Sequence, residues 1–179
     1  MEYPRLTSFA MFIDNLNDWI GRIISILIIP MMSILMYEVI MRYIFNRPTV
    51  WAHEIAGMLY AIYFLLGGAY ALRWDGHIQI EFLYIRLSAR KRAIIDCFTW
   101  MFFYFFCGVI LLKGLPFAWD SIVDMERSSS PFAPPIWPIK IFIPIAALLF
   151  LLQGSVKSIR MGIIAVTGQD PYPTPADNG

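Results

Sequence analysis

The sequence predicts an all-α integral membrane protein with four transmembrane helices, and three observations lead to that fold class. First, four nearly uncharged apolar stretches fill most of the 179 residues, at 23–39, 55–72, 97–112 and 141–156. With its flanking residues, each approaches the ~20 residues with which a helix crosses a ~30 Å hydrocarbon layer. Second, the chain is 59% hydrophobic and 15% charged, whereas ordinary soluble domains are ~25% charged. Third, polar residues lie at the ends of these stretches instead of alternating with apolar ones.

The N-terminal segment, residues 1–18, is expected to form an amphipathic helix that lies on the membrane surface. Leu6, Phe9, Ile13 and Leu16 recur at helical spacing within a segment that also contains acidic residues. Such a stripe beside a polar face is typical of interfacial helices.

The membrane domain is predicted at 19–160, with spans at about 19–41, 53–73, 94–113 and 137–157. The first connection is short, so the first two spans should pack as an antiparallel hairpin. The second connection alternates apolar and basic residues at helical spacing, which predicts a second interfacial helix at about 77–92.

The third connection, 119–138, is acidic, and its prolines should interrupt any helix before the fourth span. The proline-containing stretch 161–179 is expected to be a flexible tail.

The distribution of basic residues predicts which side the termini occupy. Nine of the fourteen lysines and arginines fall on the side of the two termini and the second connection, including a cluster at 90–92. The opposite side receives five. By the positive-inside rule, the sequence predicts a multi-pass membrane protein with both termini in the cytoplasm.

The residue pattern offers little material for catalysis or for a cofactor. His53 and His77 lie 24 residues apart, or ~36 Å along a helix, so they cannot be the two axial ligands of one haem. No Cys/His cluster has metal-ligand spacing, and no glycine-rich phosphate loop is present. We therefore expect no catalytic residue, no metal and no cofactor. A net charge of +1 suggests no nucleic-acid partner.

Charged residues near the first connection are candidates for a polar contact inside the membrane domain. Glu38 and Arg42 stand four residues apart and can pair on one helix face. A pair that holds the helix against a neighbour is favoured over a proton or ion relay. Glu54 lies just across the connection at the same expected level, and a pair between Arg42 and Glu54 would fix the tip of the hairpin.

The stretch around this connection resembles a known family. Arg42-Tyr43-Ile44-Phe45-Asn46-Arg47-Pro48, followed by Trp51 and Glu54, is similar to the R-Y-x-F-N-x-P-x-x-W-x-x-E signature of the small membrane subunit of tripartite ATP-independent periplasmic (TRAP) transporters. Further similarity covers most of the chain, from about Asn15 to Arg160. It includes Gly68, His77, Trp137 and Lys140.

The resemblance implies a supporting, non-catalytic role. In this family a large polytopic subunit contains the substrate and sodium sites, and the small subunit packs on and stabilises its scaffold. A soluble periplasmic binding protein delivers the solute, usually an organic anion, and docks from outside.

The family's motif then suggests interface residues. These are Arg42, Tyr43, Asn46, Pro48, Trp51, Glu54, Gly68, His77, Trp137 and Lys140. The acidic residues Asp120, Asp124 and Glu126 of the third connection are candidates for docking the binding protein.

Two other classes remain open from the residues. An independent, homo-oligomeric channel or carrier would need polar residues along a shared pore, for which Ser33, Glu38 and Gln153 are the available candidates. A membrane enzyme or electron-transfer subunit would need ligands or nucleophiles that the sequence does not offer.

Overall fold

A computed structural model describes residues 4–74 and 89–167 of the protein. These residues form five helices: α1 (Pro4–Ile26), α2 (Ile28–Tyr43), α3 (Ala52–Arg73), α4 (Ala89–Val123) and α5 (Trp137–Thr167). Within the described ranges, four helical stretches are long and apolar enough to cross a membrane. The predicted all-α class with four spans is therefore confirmed. Most of the interfacial helix predicted at 77–92, and the tail from residue 168 onward, lie outside the described residues.

The first membrane-spanning stretch, Ser8–Tyr43, consists of two helices that meet at Leu27. Pro30 has no backbone N–H to donate to the Ile26 carbonyl, and this loss accounts for the interruption. The Leu27 N–H donates to the Ile24 carbonyl over 2.9 Å, three residues back instead of four. Helix α1 thus continues through residues 18 and 19, where the sequence suggests a boundary between an interfacial segment and the first span.

Helices α4 and α5 are longer than the apolar stretches that predict them. Helix α4 runs from Ala89 to Val123, beyond both limits of the predicted span 94–113. Helix α5 extends to Thr167 and so includes the first residues of the predicted tail. An apolar stretch marks the part of a helix that lies in the hydrocarbon layer, whereas the helix itself continues until capping and turn residues end it.

Four helices pack side by side in the order α2, α3, α5, α4. Helix α1 packs across α3 and α5, while α2 and α4 lie at opposite edges of the row. Glycines permit close approach within the row, because a Cβ atom at Gly68 would clash with the Phe150 ring of α5 and one at Gly154 with the Phe103 ring of α4. The row leaves large apolar side chains exposed along both α2 and α4.

The buried core is small and lies where α1, α3 and α5 meet. Its main cluster contains Ile24, Leu66, Ala69, Ala146 and Leu149. A second cluster joins the beginning of α1 to α5 through buried Ala10, Ile13 and Val156. The first turns of α1, predicted to lie on the membrane surface, therefore pack against the other helices through their apolar side.

Candidate functional site: polar clusters at the two ends of the helix row

Polar side chains of the membrane domain gather at its two ends. We call the end with the connections 44–51 and 124–136 the loop end. The opposite end, where α3 finishes and α1 packs on α5, is the terminal end. The interface residues suggested by the sequence fall mainly at the loop end.

At the loop end, Glu38 organises the hairpin between α2 and α3. This carboxylate is buried, with the residue 7% exposed. Arg42 Nε, one turn further along α2, donates to Glu38 Oε1 over 2.9 Å. The Thr49 backbone N–H donates to Glu38 Oε2 over 3.0 Å, and the Thr49 hydroxyl donates to the same oxygen. Glu38 thus ties the end of α2 to the residues that lead into α3.

The connection itself explains two residues of the sequence motif. Asn46 has a φ of 51°, in the left-handed region that asparagine tolerates better than most residues. The Arg47 N–H then donates to the Met41 carbonyl over 2.9 Å, which closes the end of α2. Trp51 is the N-cap residue of α3, and its ring stacks on Tyr37 with centroids 5.9 Å apart. Tyr43 and Pro48 are exposed.

The expected pair between Arg42 and Glu54 is wrong. Arg42 forms its ion pair with Glu38 on its own helix. Glu54 has no ion pair within the described ranges, and its Oε2 is buried without a hydrogen-bond partner there. A partner four residues away on the same helix requires no loop to be positioned first, which favours Glu38 over Glu54. The guanidinium still has room for another contact, since the Arg42 side chain is 52% exposed.

The connection between α4 and α5 is folded on itself at the same end. The Ile136 N–H donates to the Glu126 carbonyl over 3.0 Å, and the Ser128 N–H to the Pro134 carbonyl over 2.9 Å. Met125 and Ala133 both have a φ of 45°, in the left-handed region that ordinary residues adopt only in turns. These bonds hold the connection as a compact loop that projects from the ends of the two helices.

Glu126 is the central side chain of this loop. Its carboxylate pairs with Lys140 of α5 and accepts a hydrogen bond of 2.7 Å from the Ser121 hydroxyl. The hydrogen bond from Lys140, followed by that from Ser121, holds the pKa of Glu126 below its ordinary value. The Lys140 ammonium also lies 4.1 Å from the centroid of the Phe117 ring of α4. Lys140 therefore joins the loop to both helices.

The three acidic residues suggested for docking do not form one set. Glu126 is engaged by Lys140, whereas the side chains of Asp120 and Asp124 are exposed and have no ion pair within the described ranges. Trp137 is the first residue of α5 and is half-buried. Gly68 lies away from the loop end, against Phe150, and His77 lies outside the described residues.

A second polar cluster at the terminal end joins α1, α3 and α5. The Asn17 side-chain amide donates to Gln153 Oε1 over 2.6 Å, and Gln153 Nε2 donates to Asp14 Oδ1 over 2.9 Å. Arg73, at the end of α3, pairs with Asp18 and donates to the Asp14 carbonyl. Asn17 and Gln153 are 1% and 3% exposed. We call these five residues the terminal-end network.

Two atoms of this network have no hydrogen-bond partner among the described residues, namely Asn17 Oδ1 and Arg73 Nε. Arg73 Nε lies 3.8 Å from Asp14 Oδ1, close enough for charge attraction and too far for a hydrogen bond. Since a buried polar group costs free energy unless it is paired, the network must keep its remaining contacts for α1 to stay on α3 and α5.

The sequence did not reveal the terminal-end network, although one signal of it was present. Asp14, Asn17 and Asp18 are spaced by three and four residues, so they form a polar stripe on one face of α1. The opposite charge, Arg73, follows the second apolar stretch directly. That Gln153 completes the network could not be inferred, because its contacts join residues up to 139 positions apart.

The chemistry available to these clusters is structural. Within residues 4–74 and 89–167, no group of three or more His, Cys, Asp or Glu side chains is placed to hold a metal ion. Each cluster joins two or three helices, partly through charge-assisted hydrogen bonds, which are stronger than neutral ones. The loop-end cluster lies beside the connections, whereas Asn17 and Gln153 of the terminal-end network lie midway along α1 and α5.

Comparison with known proteins identifies the family to which this arrangement of helices belongs. The family model described as tripartite ATP-independent periplasmic transporters, DctQ component, matches residues 31–161. The matched residues include most of α2, all of α3, the connections 44–51 and 124–136, and the loop-end cluster. The chain belongs to the DctQ family of TRAP transporters. The resemblance inferred from the motif is thereby confirmed, and the chain is a small, multi-pass permease component of a transporter rather than an enzyme.

Two curated relatives of this DctQ chain are named for sialic acid transport. It is 28% identical over 88 residues to the sialic acid TRAP transporter permease protein SiaT of Haemophilus influenzae, covering 49% of this chain and 14% of that protein. It is also 28% identical over 86 residues to the sialic acid TRAP transporter small permease protein SiaQ of Vibrio cholerae, covering 46% of this chain and 50% of that protein. The chain thus matches half or less of the length of each relative.

Proposed function

We propose that this DctQ chain is a non-catalytic subunit that packs on the scaffold of a large polytopic TRAP subunit and stabilises it in the membrane. The transporter would use an ion gradient, with Na⁺ as the coupling ion, to take up an organic anion. The chain would lie in the bacterial cytoplasmic membrane with both termini in the cytoplasm. The loop end would then face the periplasm, where a soluble binding protein docks.

The observation that most supports this role is the arrangement of the helices in a row. The row is one helix thick except where α1 crosses α3 and α5, and within the described residues the two polar clusters lie toward opposite ends of the row rather than along one continuous path. Large apolar side chains are exposed along both edges, among them Met36 on α2 and Phe105 on α4, at 62% and 69%. One apolar face of such a row can cover a partner while the other meets lipid.

The loop end supplies polar groups for specific contact with a partner. Arg42 is half exposed although its pair with Glu38 fixes its position, and the neighbouring Tyr43 is 75% exposed. A fixed arginine beside an exposed aromatic ring is the composition in which interface hot spots are enriched. We therefore retain Arg42, Tyr43 and Trp51 as interface candidates, with Glu38 as the residue that positions Arg42.

Affinity purification tests the subunit role directly. The tagged chain is isolated from native membranes in mild detergent, and the proteins that accompany it are identified by mass spectrometry. We expect a large polytopic membrane protein at equal stoichiometry. Recovery of this chain alone, as a defined homo-oligomer, would contradict the proposal and favour an independent channel or carrier.

The docking role of the loop end rests on exposed acidic residues. Asp120 and Asp124 remain available to a partner, whereas Glu126 is occupied by Lys140. Acidic groups at an interface rim act mainly on the association rate and on its salt dependence. We therefore propose that Asp120 and Asp124 attract a basic patch on the binding protein.

The test compares Asp120→Asn/Asp124→Asn with Ser129→Asn, which places the same amide at an exposed, uncharged position in the loop that follows α4. The association rate of the binding protein with the purified complex is measured at low and at high salt. The double variant should associate more slowly at low salt and lose most of the salt dependence, while subunit recovery stays unchanged. Equal association rates for the two variants would show that Asp120 and Asp124 take no part in docking.

A further inference from the structure

A lateral groove between α1, α3 and α5 has the shape and surroundings of a lipid site. Its volume is about 580 Å³. The lining includes Gly21, Ser25, Tyr63, Gly67, Tyr70 and Phe150. It lies on the exposed side of α3, where the ring of Phe64 is 66% exposed, and it begins near the terminal end.

The groove is too large and too apolar to remain empty within a bilayer. An apolar cavity of ~150 Å³ already binds a molecule of benzene, so this volume accommodates a much larger hydrocarbon. Water is a poor occupant, because the lining offers few polar groups to bond it. Around a membrane-spanning helix row, the abundant apolar molecule is the acyl chain of a phospholipid.

Aromatic and basic side chains mark the end of the groove where a lipid headgroup would lie. Trp19 and Trp74 are 64% and 38% exposed at the terminal end, and tryptophan is enriched at the level of lipid headgroups. Arg22 follows the groove residue Gly21 and precedes Ser25 by one helical turn. It is exposed and, within the described ranges, has no ion pair, whereas the neighbouring Arg73 is already paired with Asp18.

We propose that this groove binds one anionic phospholipid, with an acyl chain between Gly67 and Phe150 and the phosphate on Arg22. The observation behind the choice of lipid is the combination of an apolar groove that opens toward hydrocarbon with an unpaired cation beside its interfacial end. A helix of another protein would also fill the apolar groove, but it would need a carboxylate at the level of Arg22, whereas every anionic phospholipid carries a phosphate next to its acyl chains. This site is independent of the subunit role proposed above.

Two glycines of α3 provide a matched pair of variants for the test. A Cβ atom at Gly67, which lines the groove, would meet nothing within 4 Å, and the same holds for Gly57, which lies outside it. Gly67→Leu therefore fills the groove without a clash at the Cβ atom, and Gly57→Leu adds the same side chain elsewhere on the helix. Arg22→Gln and Arg47→Gln form a second pair, since both arginines are exposed and Arg47 lies at the loop end.

The full chain, with any protein that accompanies it, is stripped of lipid in detergent and titrated with phosphatidylglycerol or phosphatidylcholine. Native mass spectrometry then counts the bound lipids. We expect one tightly retained phosphatidylglycerol per chain, its loss in Gly67→Leu, and retention in Gly57→Leu. Arg22→Gln should weaken phosphatidylglycerol binding about fivefold, as loss of one membrane-facing cation predicts, and should leave phosphatidylcholine unchanged, while Arg47→Gln alters neither.

Three results would overturn the proposal. Equal lipid retention in Gly67→Leu and Gly57→Leu would show that the groove is not the site. Equal effects of Arg22→Gln and Arg47→Gln would reduce the interaction to general attraction between charges. Loss of an accompanying protein in Gly67→Leu, with lipid retention unchanged, would assign the groove to a protein helix. Because Arg22 is exposed, its variant tests the site even if Gly67→Leu fails to fold.

Discussion

Replacing Gln153 by leucine tests how firmly the terminal-end network holds α1 on the helix row. Gln153 accepts a hydrogen bond from Asn17 and donates one to Asp14, and all three residues are buried. Leucine has a similar volume but leaves the Asn17 amide and the Asp14 carboxylate each without that partner. A buried polar group left unpaired costs about 1–3 kcal/mol, so the two together predict a loss of roughly 2–6 kcal/mol.

This loss should appear as a lower melting temperature. For chains of 150–250 residues, 1 kcal/mol corresponds to ~2–4 °C, so a loss of only ~2 kcal/mol already gives a decrease of roughly 4–8 °C. The measurement is the thermal unfolding of the purified chain in detergent, followed by tryptophan fluorescence. Asn15→Leu serves as the control, because Asn15 is exposed on the same helix.

The double variant Asn17→Leu/Gln153→Leu sharpens the test. Removing both partners of a buried hydrogen bond leaves no orphaned amide, so the double variant should be less destabilised than the sum of the two single variants. The reasoning is refuted if Gln153→Leu melts within about 2 °C of Asn15→Leu, a shift that corresponds to roughly 0.5–1 kcal/mol. It is also refuted if the effects of the two single variants simply add.

Three further outcomes follow from the other contacts. Glu38→Gln should lower the melting temperature by less than Gln153→Leu does, because the partner Arg42 is half exposed; a larger decrease in the same fluorescence assay would contradict this order. The hydrogen bond from Lys140, followed by that from Ser121, holds the pKa of Glu126 below the ordinary 4.5, so these contacts stabilise the loop above that pH and lose their effect as acidification protonates the carboxylate. Lys140→Gln should therefore weaken the acid dependence of protease resistance in the loop, and an unchanged profile would exclude the pair as its main cause. Gly68→Val should destabilise the helix row by about 1–3 kcal/mol, because the added side chain clashes with the Phe150 ring. The same change at the open position Gly57 should alter stability by no more than about 0.5 kcal/mol. Coinciding melting curves for the two variants would refute the close approach of α3 to α5 at Gly68.

The sequence predicts those parts of the structure that depend on local pattern. The four spans follow from hydropathy, and the pair between Glu38 and Arg42 follows from their spacing on one helix. The contact of Glu38 with Thr49 does not, because it depends on how the connection folds back after Asn46. The sequence likewise does not decide whether Arg42 pairs with Glu38 or with Glu54, because that depends on the positions of the side chains in the folded hairpin.

The terminal-end network shows the same limit over a longer distance. Asp14 and Gln153 are brought together only because α1 crosses α3 and α5, and helix order is not encoded in the hydropathy of single segments. The same limit applies to the three acidic residues near the last connection, of which one is paired within the described residues and two are not. Asp120, Asp124 and Glu126 look alike in the sequence, and only the position of Lys140 distinguishes the third from the other two.

The order of helices in the row also has a consequence for biosynthesis. Helix α4 precedes α5 in the chain, yet its main contacts within the described structure are with α5. At ~5–20 residues per second of translation, α4 is released into the bilayer seconds before its neighbour exists. During that interval its aromatic surface is covered only by lipid or by whatever membrane-insertion factors are at hand. Cells that slow translation after residue 123 should therefore show this chain bound to the insertion machinery for longer.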